Sequence, residues 1–217
     1  MLDNIKAAIF DMDGTLIDSM GLWEKIDVDF LNIRGIELPS DLRGNIEHLS
    51  IIETAQYFKN RFNLPEEIED IIKEWDNMAY EEYANNIKLK PGAEKFLKHL
   101  KNLGIKIALA TSNSQLLLET ALKNTGIYEY FDIISRTDEV QRGKSFPDIY
   151  LLTAQKLGVE PSECIVFEDI LPAVMGAKEA GMKVVGVHDA YSDHQREIIM
   201  EKADHFIFEY EELNKAV

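Results

Sequence analysis

Asp11-Met12-Asp13-Gly14-Thr15 follows directly on the apolar run Ile5 to Phe10. An aliphatic run that ends in two carboxylates one residue apart, then a glycine, predicts a buried strand whose C-terminal edge opens into a reactive loop. The chain turns here, and Asp11 and Asp13 can both enter one crevice. Two acids so placed repel strongly unless a cation joins them. Calcium loops also open with an Asp-x-Asp-Gly run, yet they want further Asp or Asn at alternate positions and a Glu closing a twelve-residue loop. Thr15-Leu16-Ile17 are poor ligands, and a strand rather than a helix precedes them.

Beyond residue 88 amphipathic helices alternate with short apolar strands. Pro91 opens a helix to about Leu103, and Ile105 to Ala110 then reads as a buried strand. A helix over about Gln115 to Thr125, a brief strand at Ile133-Ile134, a helix from Pro147 to Gly158 and a strand over Cys164 to Phe167 follow. Pro172 sits early in a helix ending at Gly181, and Lys183 to Val187 is a further strand. This order predicts an α/β fold, a doubly wound parallel sheet with helices on both faces.

Residues 17–87 break the rhythm. Trp23, Ile26, Phe30 and Ile33 recur at helical spacing, as do Ile51, Ala55 and Phe58, then Ile68, Ile71, Ile72 and Trp75, and no convincing strand is present. The predicted organisation is a catalytic core of residues 1–16 and 88–217 with an inserted all-helical cap, 17–87, over the sheet's catalytic edge. Trp23 and Trp75 are expected in the cap's core.

At 217 residues the chain exceeds the usual single-domain size of roughly 100 to 150, which fits one domain carrying an insertion. The net charge is 23 − 39 = −16, so nucleic acid and anionic membranes are excluded as partners in the absence of a basic patch. Residues 17–87 hold 16 acids against 6 bases, so the insertion carries most of the excess. No stretch approaches the roughly 18 apolar residues of a membrane span, and the N-terminus lacks a signal-peptide layout. Cys164 is the only cysteine and falls in an apolar run, which predicts a buried, inert thiol and suits a reducing cytoplasm.

Asp11-Met12-Asp13-Gly14-Thr15 resembles the first signature of the haloacid dehalogenase superfamily, phosphatase branch, and three further stretches match that family in order. Thr111-Ser112-Asn113 follows a strand and could grip phosphate oxygens through a hydroxyl and helix N-terminal amides, although Ser112, Asn113 and Ser114 are equally competent helix caps. Lys144, in Arg142-Gly143-Lys144-Ser145-Phe146-Pro147-Asp148, looks like the third signature, with Ser145 where family members commonly have proline. Glu168-Asp169 resembles the fourth, with Ile170 and Ala173 where the family usually has serine and glycine, which puts the hydrogen bonding around a metal in question.

The resemblance implies a Mg²⁺-dependent phosphatase acting on a small phosphorylated metabolite. Asp11 would be the nucleophile and Asp13 the general acid and base. Lys144 would be the stabilising cation, Thr111, Ser112 and Asn113 the phosphate contacts, and Asp11, Asp13 (through its carbonyl), Glu168 and Asp169 the metal ligands. Arg43, in the insertion, is expected to meet the leaving group together with Glu47 and His48. Dehalogenation is disfavoured, because it needs neither Mg²⁺ nor an acid at position 13. Phosphonate cleavage would need a cap lysine, for which Lys25 is the candidate. The closer alternative is a sugar-phosphate mutase similar to β-phosphoglucomutase, against which Glu47 argues by standing where the mutase has its phosphate-binding arginine. A non-catalytic binding module is a third reading.

Overall fold

The computed structural model describes residues 1–214. Ten helices and eight strands are formed among them: strands β1 (Ala7–Phe10), β2 (Ile17–Asp18), β3 (Lys88–Leu89), β4 (Lys106–Thr111), β5 (Ile133–Arg136), β6 (Cys164–Glu168), β7 (Lys183–Val187) and β8 (His205–Ile207). Helices α1 (Met20–Ile33), α2 (Leu42–Ile46), α3 (Ile51–Phe62) and α4 (Ile68–Asn85) lie between β2 and β3. Helices α5 (Ala93–Asn102), α6 (Gln115–Asn124), α7 (Asp148–Leu157), α8 (Leu171–Glu179), α9 (Arg196–Lys202) and α10 (Glu211–Asn214) follow. Among the described residues no helix is long and apolar enough to cross a membrane.

Six strands form one parallel sheet in the order β5-β4-β1-β6-β7-β8. From β1 the chain winds outward through β4 and β5, then returns to β1's other side for β6, β7 and β8. The switch point therefore lies at β1, where a crevice opens beyond the strands' carboxyl ends. Phe10 is in register with both Leu109 and Phe167, so one step further along places Asp11 level with Glu168.

Strand alternation divides the core in two. Phe10, Ile107, Leu109, Ile165, Phe167 and Val185 face one side; Ala7, Ile9, Ala108, Cys164, Val166 and Val184 face the other. On the first side Phe10 and Phe167 stack at 4.5 Å between ring centroids, with Phe96 set edge-on to Phe167 at 5.4 Å. This aromatic cluster anchors the two strands that present the acids. On the second side Cys164 is fully buried, and burial, then the charge of Glu163, pushes its thiol up to about 11, as expected of an inert structural cysteine.

The short β2 and β3 pair antiparallel, Ile17 with Leu89 and Asp18 with Lys88, and tie together the two ends of the helical insertion. Strand β2 corrects the expectation that residues 17–87 hold no convincing strand, and β3 lies just past that stretch. They were missed because two-residue strands leave no alternation to read. Also unpredicted was β8, three residues at the sheet's edge. Within the insertion Phe30, Phe58 and Trp75 form a tilted and edge-on aromatic core.

Helix α8 crosses the loop that carries Lys144 so closely that a Cβ at Gly176 would lie 2.1 Å from the Lys144 carbonyl oxygen and 2.9 Å from that of Phe146. The tight approach is thus made at Gly176, while Ala173, three residues earlier, is simply buried. Gly176→Ala is expected to lower stability by about 1–3 kcal/mol through overpacking, seen as a fall in Tm of about 5 °C for a chain of this size. A thermal melt unchanged by the substitution would contradict the close packing.

Candidate active site

Asp11 ends β1, Glu168 ends β6, and both emerge on the sheet face covered by α7 and α8. Lys144 reaches them from the loop before α7: its ammonium donates to Asp11 Oδ1 and, at 2.8 Å, to Glu168 Oε1. Tyr150, on α7, donates to the same Glu168 oxygen at 2.8 Å. Asp169 is held by the Thr15 hydroxyl at 2.9 Å. Gly14, at φ +79°, lets the first loop pass Asp169, since a Cβ there would lie 2.5 Å from Asp169 Oδ2.

Asp11, Glu168 and Asp169 each offer an oxygen within 4.8 Å of the others, and all three are buried. Three buried carboxylates face one ammonium, and two like charges about 4 Å apart repel by about 4 kcal/mol at an effective dielectric near 20. Burial, opposed by Lys144 and reinforced by Glu168 and Asp169, raises the Asp11 carboxyl well above its ordinary range. Burial, then repulsion from Glu168 and Asp189, lifts Asp169 to about 7. For Lys144 burial acts downward, but the attraction of Asp11 and Glu168 outweighs it and the ammonium is held more firmly than usual. The cluster therefore draws in positive charge. Glu168 Oε2 is buried without a hydrogen-bond partner among the described residues, and an all-oxygen donor set suits a hard divalent cation.

Asp13 is turned elsewhere. Its carboxylate lies outside the three-acid cluster and accepts from Ser19 Oγ at 2.6 Å and from Tyr83 Oη on Oδ1, and from Asn113 Nδ2 at 2.8 Å on Oδ2. Ser19 precedes α1 but makes no side-chain cap there, because its hydroxyl is taken by Asp13.

The second stretch divides its duties. Ser114 is the cap of α6, accepting from Leu117 N, while the Thr111 hydroxyl accepts from Asn113 N at 3.1 Å. Thr111, Ser112 and Asn113 all line the main cavity, a space of about 430 Å³ between the sheet's edge and the inserted helices. Asp11, Asp13, Lys144, Glu168 and Asp169 form its floor. Ile170 also lines it, so an apolar side chain stands beside the acids, and among the described residues the only side-chain hydroxyl bonded to Asp169 is that of Thr15.

On the opposite wall stand Trp23, Asp27, Arg43 and Glu47. The Arg43 guanidinium lies 5.0 Å from the Tyr191 ring and 3.9 Å from Glu47 Oε2, yet among the described residues its Nε and Nη2 have no hydrogen-bond partner, nor does Glu47 Oε2. Glu47 Oε1 accepts from Gln195 Nε2 at 2.6 Å, a contact from the insertion to the core. Trp75 is buried core as expected, although its edge also lines the cavity, whereas Trp23 is half-buried there, a correction to its expected place. His48 and the exposed Lys25 do not line it; instead the His48 carbonyl packs on Gly143, where a Cβ would meet it at 2.7 Å.

Residues 5–181 match the model of the haloacid dehalogenase-like hydrolases. The chain belongs to that family. It is 30% identical over 190 residues to a phosphorylated carbohydrates phosphatase of Thermotoga maritima, spanning 87% of this chain and 88% of that one. It is also 30% identical over 197 residues to hexitol phosphatase B of Escherichia coli, spanning 87% of each. The crystal structure of CbbY from Rhodobacter sphaeroides in complex with phosphate matches at a TM-score of 0.85 and 26% identity over 96% of both chains. With such relatives along most of its length, this haloacid dehalogenase-like hydrolase is a phosphoric monoester hydrolase.

Asp27 and Tyr83 escaped the sequence reading. Asp27 lies four residues after Trp23, beside the Ile26 and Phe30 stripe, and an acid at that edge of an apolar face was the available signal. Burial, reinforced by Glu24 and opposed by Arg43, raises its carboxyl to about 7. A carboxyl whose folded pKa is raised from 3.8 contributes stability at low pH that is lost as pH climbs through 7. The melting temperature of Asp27→Asn minus that of the unaltered protein should therefore increase between pH 5 and pH 8. A difference that shrinks over this window would mean that Arg43 dominates the site.

Proposed function

We propose that this enzyme is a Mg²⁺-dependent phosphatase that hydrolyses a small hydroxylated phosphate monoester, of the sugar-phosphate class, through an aspartyl-phosphate. The observation that carries the reading is the separation of two carboxylates only two residues apart: Asp11 sits in the charged cluster with Lys144, Asp13 in a set of neutral hydrogen-bond donors. Unlike environments suit unlike roles.

An Asp11 oxygen attacks phosphorus, the bond to the ester oxygen breaks, and the departing alkoxide takes a proton from Asp13. Asp13, now a carboxylate, removes a proton from water as that oxygen attacks the phosphorus of the aspartyl-phosphate. Inorganic phosphate leaves, and Asp11 and the protonated Asp13 are restored. Lys144 offsets charge on the phosphoryl group, while Thr111 and the amides after β4 orient it. Mg²⁺ would be held by Asp11, Glu168, Asp169 and the Asp13 carbonyl, and would supply positive charge to the phosphoryl oxygens. The buried Cys164 suits a reducing cytoplasm.

The cavity wall supports a polyol or sugar as leaving group. Among the described residues Arg43 offers donors, and Glu47 an acceptor, that no hydrogen bond uses, and Asp27 adds a further carboxyl. Hydroxyl groups both donate and accept, so they satisfy all three. A sugar-phosphate mutase must instead hold a second phosphate, and here Glu47 stands 3.9 Å from the one arginine that would do so. Hydrolysis is favoured over mutase turnover on that ground.

In a screen of phosphorylated metabolites, inorganic phosphate should be released with Mg²⁺ and not with excess chelator, and Asp11→Asn should lose at least about 10³-fold. Full turnover by Asp11→Asn would sink the assignment. Glu47→Gln should raise kcat/KM for a sugar bisphosphate relative to the matching monophosphate, because it removes a repelling charge. Conversion of glucose 1-phosphate to the 6-phosphate without phosphate release would establish the mutase instead.

A further inference from the structure

We propose that Tyr83, on α4, is a positioning residue for proton transfer, its hydroxyl fixing the Asp13 carboxylate so that Oδ2 carries the proton given to the leaving group. The proposal rests on the reading of Asp13 as general acid and base.

Tyr83 is fully buried, and its hydroxyl is a junction of three other side chains. Trp23 Nε1 donates to it at 2.9 Å and Asn113 Nδ2 at 3.0 Å. A phenolic oxygen has two acceptor sites and one proton. The indole and the amide fill the acceptor sites, so the hydroxyl can only donate, and its hydrogen bond runs to Asp13 Oδ1.

The consequence falls on Asp13. Oδ1 receives both Tyr83 and Ser19 and has no room for a proton of its own, whereas Oδ2 receives only Asn113. A carboxylate gripped at Oδ1 by two hydroxyls cannot rotate to exchange its oxygens. The proton is thereby confined to Oδ2, in a cavity that Asp13 shares with Asp11 and Lys144. Trp23 acts one step further back, by holding Tyr83 in its donor orientation. The contact joins residues 70 apart, one on an inserted helix and one on the loop after β1, so it is made only when the two parts of the chain are packed as they are here.

A merely structural tyrosine and a positioning one differ in how their loss depends on the leaving group. The proton from Asp13 matters most when the departing oxygen is strongly basic, and proton transfer of this kind contributes about 10²–10⁴-fold. For a series of substituted phenyl phosphates of similar shape, Tyr83→Phe should lower kcat/KM by about 10-fold or more for the most basic phenol. The loss should shrink steadily as the phenol becomes more acidic, so that the plot of log kcat/KM against leaving-group pKa steepens. A uniform loss along the series, or none, would overturn the proposal. Should Tyr83→Phe not fold, Trp23→Phe, which frees one acceptor site on the tyrosine and lets its hydroxyl turn from Asp13, is judged on the same slope. An unaltered enzyme that releases no phosphate from any ester would instead refute the phosphatase reading itself, and this assignment would fall with it.

Discussion

Among the described residues Lys144 is the only ammonium bonded to Asp11, Glu168 or Asp169, and the rest of the site depends on what it leaves unbalanced. It binds Asp11 and Glu168 at once, which fixes the ends of β1 and β6 relative to the loop before α7. It does not neutralise Asp169, whose carboxyl is lifted to about 7 by burial and by its neighbours. A buried ion pair is seldom a net source of stability, because desolvation consumes much of the attraction. Its value here is positional. The same residual negative charge that burdens folding makes a place for a divalent cation and, with it, a phosphoryl group.

Sheet geometry explains why those four residues meet. Alternation along β1 and β6 sends Ile9 and Val166 to the α7 and α8 side, and Asp11 and Glu168 follow on that same side, where Lys144 and Tyr150 reach them. The opposite side is filled by the stacked Phe10 and Phe167. Moving either strand by one residue would exchange acids for phenylalanines, so register and chemistry are one constraint. Gly176 and Gly14 serve it locally: one lets α8 press on the Lys144 loop, the other lets the first loop pass Asp169.

Much of this was legible in the residues. The central strands are continuous apolar runs because both sheet faces are covered, and each ends in a polar residue at the edge where the fold leaves space for ligand. That is why Asp11 could be picked out from the residues, and Thr111 and Glu168 from their strand-end places taken together with the family resemblance. What stayed hidden has a common cause. Helical periodicity marks which side of α1 or α4 is buried, not what that side is buried against. Tyr83 reads as one more apolar position, and only the packing of α4 on the catalytic loop shows its hydroxyl meeting Asp13. Trp23 was misplaced for the same reason: half of its ring faces core and half faces cavity. The pairing of β2 with β3 needs partners 70 residues apart and two residues long, too short to carry a pattern.

Two aspartates two residues apart would share one electrostatic environment if the chain ran straight. Gly14 and the turn around it prevent this, sending Asp11 into a cluster of full charges and Asp13 into a ring of hydroxyl and amide donors. For the proposed nucleophile, the attraction of Lys144 works toward the ionised form against the burial that raises its carboxyl. The proposed acid and base, Asp13, meets no ammonium and is bonded instead by Ser19, Tyr83 and Asn113. Neutral donors hold its geometry without imposing a full charge on it. The proposed division of labour between Asp11 and Asp13 therefore rests less on the carboxylates themselves than on what the turn after β1 and the inserted helices bring to each.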